Sequence, residues 1–220
     1  MTTTIIYPDA GTGGTTVDGH VKRSGVDESF SAIRTGAGVA NSATTANENC
    51  AQLTATATSN QYSVLRRSII TADSSAVPSG DTVTTFTVSL YGTGKNNGLG
   101  DPDLDVVTAT PASNNALVNA DYTYTNFGTT ALGSVAYGSF SKSGYNDISC
   151  DVSGVTKAGI TKIGLRLSWD TDNSAPTWTT GTPVSSFQIY FADQAGTTND
   201  PKLTIVHAPA GGARRVFLVT

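Results

Sequence analysis

The chain has 220 residues, 14% of them charged, with a formal net charge of −4. That length buries roughly 70% of the surface exposed in the unfolded chain and suits one all-β domain. The slight acidity offers no basic face to follow a phosphate backbone, so nucleic acid is not an expected partner, and no apolar run reaches the roughly 18 residues of a membrane-crossing helix.

The opening MTTTIIYPDAG has neither the cationic start nor the apolar middle of a secretory signal, so general export is not expected if Met1 is the natural start. Residues 2–7 read as a β-rich segment stopped by Pro8. A glycine-rich connection leads to strands at residues 21–24 and 29–35, the second with Phe30, Ala32 and Arg34 on one face. Residues 36–49 are small and polar and read as a surface loop.

Strands follow at residues 52–58 and 62–72. The second carries Arg66 and Arg67 on opposite faces, so one of them points inward or lies at a sheet edge and needs a carboxylate partner. After a turn at residues 77–81, residues 82–91 form the clearest strand: Phe86, Val88 and Leu90 face in, while Thr85, Thr87, Ser89 and Tyr91 face out. Another strand spans residues 104–110, and the weakly patterned residues 111–132 make an irregular excursion. Strands resume at residues 134–141 and 146–152, and Ser153 caps one helical turn through Lys157. Residues 162–169 place Ile163, Leu165, Leu167 and Trp169 on one face. Residues 186–207 read as a closing hairpin: Phe187, Ile189 and Phe191 alternate with polar or small residues, and a turn through Asn199-Asp200-Pro201 leads into Lys202 to Ile205.

About ten strands with polar turns and hardly any helical periodicity give an all-β, antiparallel β-sandwich of jelly-roll type with one short helix. It occupies residues 1–207, and residues 208–220 form a linker and C-terminal arm. The arm carries Arg214, Arg215, Val216, Phe217, Leu218 and Val219. Burying its four apolar side chains contributes about 1.5–3 kcal/mol each, and ordering its backbone costs about 1–2 kcal/mol per residue. The terms nearly cancel, so the arm holds only where an open sheet edge also supplies hydrogen bonds, on a neighbouring subunit or as a last strand of its own domain.

Cys50 and Cys150 lie on strands whose side-chain directions do not suit a shared bridge, and both read as inert buried thiols. His20 and His207 belong to no nucleophile elbow, acidic pair or metal-spaced cluster, so no enzyme is expected. Gly92-Thr93-Gly94-Lys95 is read as a strand-ending turn, because no helix follows to present an N-terminus to an anion. Asp9, Asp18, Glu28, Asp193 and Asp200 have the oxygens calcium takes but are read as solvated turn residues, as are Asp101, Asp103, Asp105, Asp170 and Asp172, and no cofactor is expected. Trp178, Tyr122 and Tyr124, in loops, are the candidate platform for a glycan.

Three stretches carry a family resemblance. RRSIITADSSAVPSGDTVTTFTVSLYGTGK (residues 66–95), GYNDISCDVSGVTKAGITKIGLRLSW (144–169) and DPKLTIVH (200–207) resemble segments of carbohydrate-binding-like jelly rolls of the DNRLRE type, with Ala72 where the family usually has Phe. DGHVKRSGVDESFSAIRTGAG (18–38) is similar to stretches of environmental and phage-associated proteins. The resemblance implies a structural or accessory virion protein at the particle surface, a decoration, fibre or tail component, extracellular after release. Its expected partners are other virion proteins, its own copies and host-surface glycans. The alternative it implies is a glycan-binding adhesion module.

Overall fold

The computed structural model describes residues 1–11 and 13–210, and residues 214–219 of the expected docking arm lie outside them. The described chain is all-β and antiparallel. Its strands are β1 (Thr2–Ile6), β2 (Asp18–Glu28), β3 (Ala40–Ser42), β4 (Asn47–Ala55), β5 (Tyr62–Asp73) and β6 (Asp81–Asn97) in the first half. The second half holds β7 (Leu104–Thr108), β8 (Gly133–Val135), β9 (Gly144–Cys150), β10 (Ile160–Leu167), β11 (Val184–Tyr190) and β12 (Lys202–Pro209). Two short helices, α1 (Phe30–Thr35) and α2 (Ser168–Thr171), accompany them. No helix among the described residues is long and apolar enough to cross a membrane.

All twelve strands join one continuous sheet built around the two long strands β5 and β6. Ser89 of β6 pairs with Lys202 and Asp147, and Gly92 pairs with Ile189 and Gly144. Hence β11 and β12 lie end to end along one edge of β6, with β9 along the other. β5 is built the same way: β2 follows one edge, while β4 and β10 share the opposite one. The β4–β11 pairing joins the two halves. The sheet curls until β8 reaches β9, where Asp151 N donates to Leu132 O at 2.8 Å. A Cβ on Gly133 would stand 2.3 Å from Ser149 O, so the approach requires glycine.

This topology corrects the closing hairpin. β11 and β12 are both antiparallel to β6, so they run in the same direction and cannot fold back on each other. Alternation in a sequence gives the face of a strand, not its neighbour. Residues 29–35 are also not a strand: Ser29 Oγ accepts from Ala32 N, and Phe30, Ile33 and Arg34 form the buried face of α1. The expected helical turn at Ser153 is a 3₁₀ turn, Val152–Gly154, capped by Asp151, whose Oδ1 accepts from Ser153 N at 2.8 Å. Trp169 sits on α2 rather than on the strand before it. Gly92 to Lys95 continue β6, and Lys95 Nζ donates to Tyr137 O. β8 stops at Val135 and a 3₁₀ turn, Tyr137–Ser139, replaces the rest of the expected strand. β12 runs two residues beyond His207, to Pro209.

The inner side of the curl is lined by Phe86, Val88, Leu90, Leu165, Phe187, Ile189, Leu203 and Ile205, all fully buried. β5 is covered on both faces, because α1 and the excursion after β7 pack over the side that carries Arg67. One of the paired arginines points inward, as the alternation requires. Its carboxylate is Asp170, a residue expected to be a solvated turn position and here 1% exposed. Asp170 Oδ2 accepts from Arg67 Nε at 2.7 Å and Arg166 Nε at 2.8 Å, and Oδ1 accepts from Arg67 Nη2 at 2.8 Å. Arg34 Nε stands 3.1 Å from Oδ1 and donates to the Asp170 carbonyl. The Nη donors of Arg67 and Arg166 also meet the carbonyls of Tyr122, Arg34, Gly128 and Asp170. Burial alone would raise the Asp170 pKa, but Arg67 and Arg166 hold it far below the usual carboxylate range.

Replacing the shared anion leaves three buried guanidiniums uncompensated, whereas removing one arginine leaves two to serve the carboxylate. Asp170→Asn is therefore expected to cost about 3–5 kcal/mol in urea denaturation, and Arg34→Met less. Equal losses would show that Asp170 is not the hub.

Candidate functional site

Of the loop aromatics singled out for glycans, Tyr122 is taken up by the interior. Tyr122 is fully buried, its hydroxyl donates to Ile33 O at 2.6 Å, and Arg67 stacks on its ring at 4.4 Å, so it presents no face to a ligand. Tyr124 is half-buried with the Arg34 guanidinium 5.2 Å from its ring centre. Trp178 is half-buried against the core, with a buried Nε1 that lacks a partner.

Aromatic surface instead gathers on the outward side of β6. Tyr91 leaves β6 opposite the core residue Leu90 and pairs across the ladder with Tyr145 of β9. Their ring centres are 5.4 Å apart, edge to face. On the other edge of β6, Tyr190 of β11 brings its ring to 5.7 Å from Tyr91. Lys202 of β12 places Nζ 4.1 Å over the Tyr145 ring. Each tyrosine is half-exposed, and polar groups surround them: Gln188, Thr93 bonded to Asn47, and the exposed Asp147. Alternation already turned Tyr91 outward; what brings the other two beside it is the order of strands around β6.

Beside this belt lies a cleft of about 340 Å³ lined by Tyr7, Asp9, Gln194, Gly196, Thr197 and Asp200, among others. Tyr145 borders it, since its hydroxyl donates to the carbonyls of Asp200 at 2.9 Å and Thr198 at 3.0 Å. Two further carboxylates gather behind the cleft. Asp18, at the start of β2, is fully buried and accepts from Ala192 N at 2.8 Å through Oδ2. Among the described residues its Oδ1 has no hydrogen-bond partner, nor has Oδ2 of Asp193. Burial, then the nearby charges of Asp193 and Asp200, push the Asp18 pKa up to about 8, against the pull of the Ala192 amide. Asp193 and Asp200 are raised as well, first by burial.

The other acidic candidates are otherwise engaged. Asp9 Oδ2 accepts from the amides of Thr15 and Thr16, and Glu28 forms an ion pair with Arg23. Asp105, expected in a solvated turn, is buried on β7 and accepts from Ser134 Oγ at 2.6 Å. Cys50 and Cys150 are free, and burial pushes both thiols up to about 12.

His207 completes an arrangement that sequence spacing concealed. Its Nδ1 meets Asp81 Oδ2 at 2.6 Å and its Nε2 meets Thr4 Oγ1 at 2.9 Å. Hydroxyl, imidazole and carboxylate in that order resemble a nucleophile relay. Here they tie β1, β12 and β6 together at the end of the sheet. None of the four clefts described on the molecule includes any of the three residues. No protein-family model matches the chain, and no curated protein is significantly similar to it.

The raised pKa of Asp18 makes stability depend on pH. The unfolded carboxyl releases its proton near 3.8, whereas the folded one keeps it to about 8. Below the lower value the proton is bound in both states and the contribution is fully present. It is lost as pH rises through the window, by about 1.4 kcal/mol per unit. Asp18→Asn stays neutral throughout and faces the same Asp193, Asp200 and Ala192 amide. In urea denaturation with chelator present, its stability should therefore gain on that of the parent chain from about pH 4 to about pH 8. A constant difference over that range would mean that Asp18 ionises as an ordinary carboxyl.

Proposed function

We propose that this chain is a non-catalytic module that binds carbohydrate on the outward face of β6. The observation that carries the reading is the row Tyr190, Tyr91 and Tyr145, held side by side by three adjacent strands. Rings of this kind offer apolar faces to the C–H surface of a sugar while their hydroxyls and polar neighbours serve its hydroxyl groups. Placement on strands rather than loops fixes the spacing before a ligand arrives, which lowers the ordering cost of binding. The resemblance to carbohydrate-binding-like jelly rolls supports the same reading.

Glycan-array screening followed by calorimetry tests it. Tyr91→Ala or Tyr145→Ala is expected to weaken binding of a captured glycan at least about tenfold, the loss of roughly 1.4 kcal/mol. Binding lost in Trp178→Ala and kept in both tyrosine variants would return the site to the loop.

A second reading, an accessory component of a virion-type surface, draws support from β1. Among the described residues this strand pairs only with β12, and its Ile5 side chain is 54% exposed, with Met1 93% and Tyr7 37% exposed around it. An open strand edge with apolar residues suits addition of a strand from another copy. The two readings are compatible, since an adhesion module works from the outside of a larger assembly. Truncation after Ala208 should convert an oligomer to a monomer in size-exclusion chromatography. An oligomer that survives truncation, or a full chain that is already monomeric, counts against docking through the arm.

A further inference from the structure

The carboxylates behind the β1–β2 connection pose a charge problem that the described protein atoms leave open. Asp18 is fully exhausted of solvent contact, yet only one of its oxygens is bonded. Asp193 follows the very residue that bonds it, and its Oδ2 is likewise buried and unpartnered. Asp200, 2% exposed, has Oδ1 held by Gln194 Nε2 at 3.1 Å and lines the cleft in front. Among the described residues no lysine, arginine or histidine lines that cleft. A buried carboxylate without a partner is costly, and like charges close by add to the cost. One proton on Asp18 would relieve only that residue and would leave Asp193 and Asp200 acting on each other.

We propose that this site holds a hard divalent cation, calcium by its chemistry, with Asp18 Oδ1 and Asp193 Oδ2 as its side-chain ligands and Asp200 adding negative charge nearby. Every donor is oxygen, which selects calcium or magnesium over zinc. The ligands come from one irregular loop and a strand start, and such a set suits the variable shell of calcium better than the strict octahedron of magnesium. Among the described residues no three ligating side chains stand close enough to hold a metal ion by themselves. Main-chain carbonyls and water must complete six to eight oxygens, as they commonly do for calcium. The ion would fasten the connection between β1 and β2 to the loop between β11 and β12, the same loop whose Thr198 and Asp200 carbonyls receive the Tyr145 hydroxyl.

The site stands apart from the carbohydrate reading, because its test reads the ion itself. Full-length chain stripped with chelator is titrated with calcium by calorimetry and with terbium, whose luminescence Tyr145 and Tyr7 are placed to sensitise. The expected result is one ion per chain, bound with a dissociation constant of about 10⁻⁵–10⁻³ M, and a raised melting temperature. Asp18→Asn and Asp193→Asn should each weaken binding at least about tenfold, while Asp27→Asn, on the exposed end of β2, should not. Asp193→Asn, at a half-exposed position, keeps the test valid if Asp18→Asn fails to fold. No heat, no luminescence and no melting shift up to millimolar calcium would overturn the proposal. So would binding that falls equally in Asp27→Asn, the mark of diffuse attraction to an acidic surface.

Discussion

Asp170 is the point on which the arrangement of this molecule turns. One carboxylate, buried with three guanidiniums, collects α1 through Arg34, β5 through Arg67, and β10 through Arg166. The surplus positive charge is spread over carbonyls of α1, α2 and the excursion, and over the rings of Tyr122 and Phe127. Such a cluster contributes less net stability than its Coulomb energy suggests, because desolvating four ions opposes it. What it does supply is specificity: each guanidinium has a fixed fork of donors, so a displaced element would strand a buried charge. The cluster explains how residues 111–132, nearly free of regular structure, can stay packed. Arg67 and Arg166 take the carbonyls of Tyr122 and Gly128 that no sheet partner takes.

That packing also decides which of the two long strands turns a face toward solvent. β5 has the arginine cluster on one face and core on the other, and nothing on it is offered to solvent beyond its ends. β6, the other long strand, has the core on one side only. Its outward residues alternate as Thr87, Ser89, Tyr91 and Thr93, and Tyr91 and its neighbours Tyr145 and Tyr190 stay half-exposed. The two strands have the same plan of neighbours, with one edge shared by two partners and the other followed by one. Only the covering differs, and it leaves the tyrosine face of β6 half-exposed.

Much of this was legible in the sequence, but only within single strands. The alternation of Phe86, Val88 and Leu90 with Thr87, Ser89 and Tyr91 gave the faces of β6, and the doublet Arg66-Arg67 required an inward charge with a carboxylate. The identity of that carboxylate was not legible. Asp170 stands 103 positions from Arg67 and follows a strand in a run, Trp-Asp-Thr-Asp, that looks like any polar turn. The belt was hidden for the same reason. Tyr91, Tyr145 and Tyr190 are each outward by local pattern, and only the pairing of β9 and β11 with opposite edges of β6 makes them one surface. Residues 29–35 show the converse: Phe30, Ala32 and Arg34 fit a strand, Phe30, Ile33 and Arg34 fit a helix, and the cap of Ser29 with the pull of Asp170 on Arg34 chose the helix.

Asp18 and Asp170 are the same residue in almost the same degree of burial, with opposite outcomes. Both must be compensated, because water is absent around each. Around Asp170 the protein provides three guanidiniums, and the carboxylate stays ionised far below the usual range. Around Asp18 it provides one amide and two more carboxylates, and the proton is retained to about pH 8. Arginines at the first site allow it to be complete as soon as the chain folds. Among the described residues no cationic side chain acts on the second, so a proton or, as proposed, an ion balances it. The unbonded oxygens of Asp18 and Asp193 favour the ion, because a proton satisfies a charge at one oxygen, whereas a divalent cation can satisfy both at once.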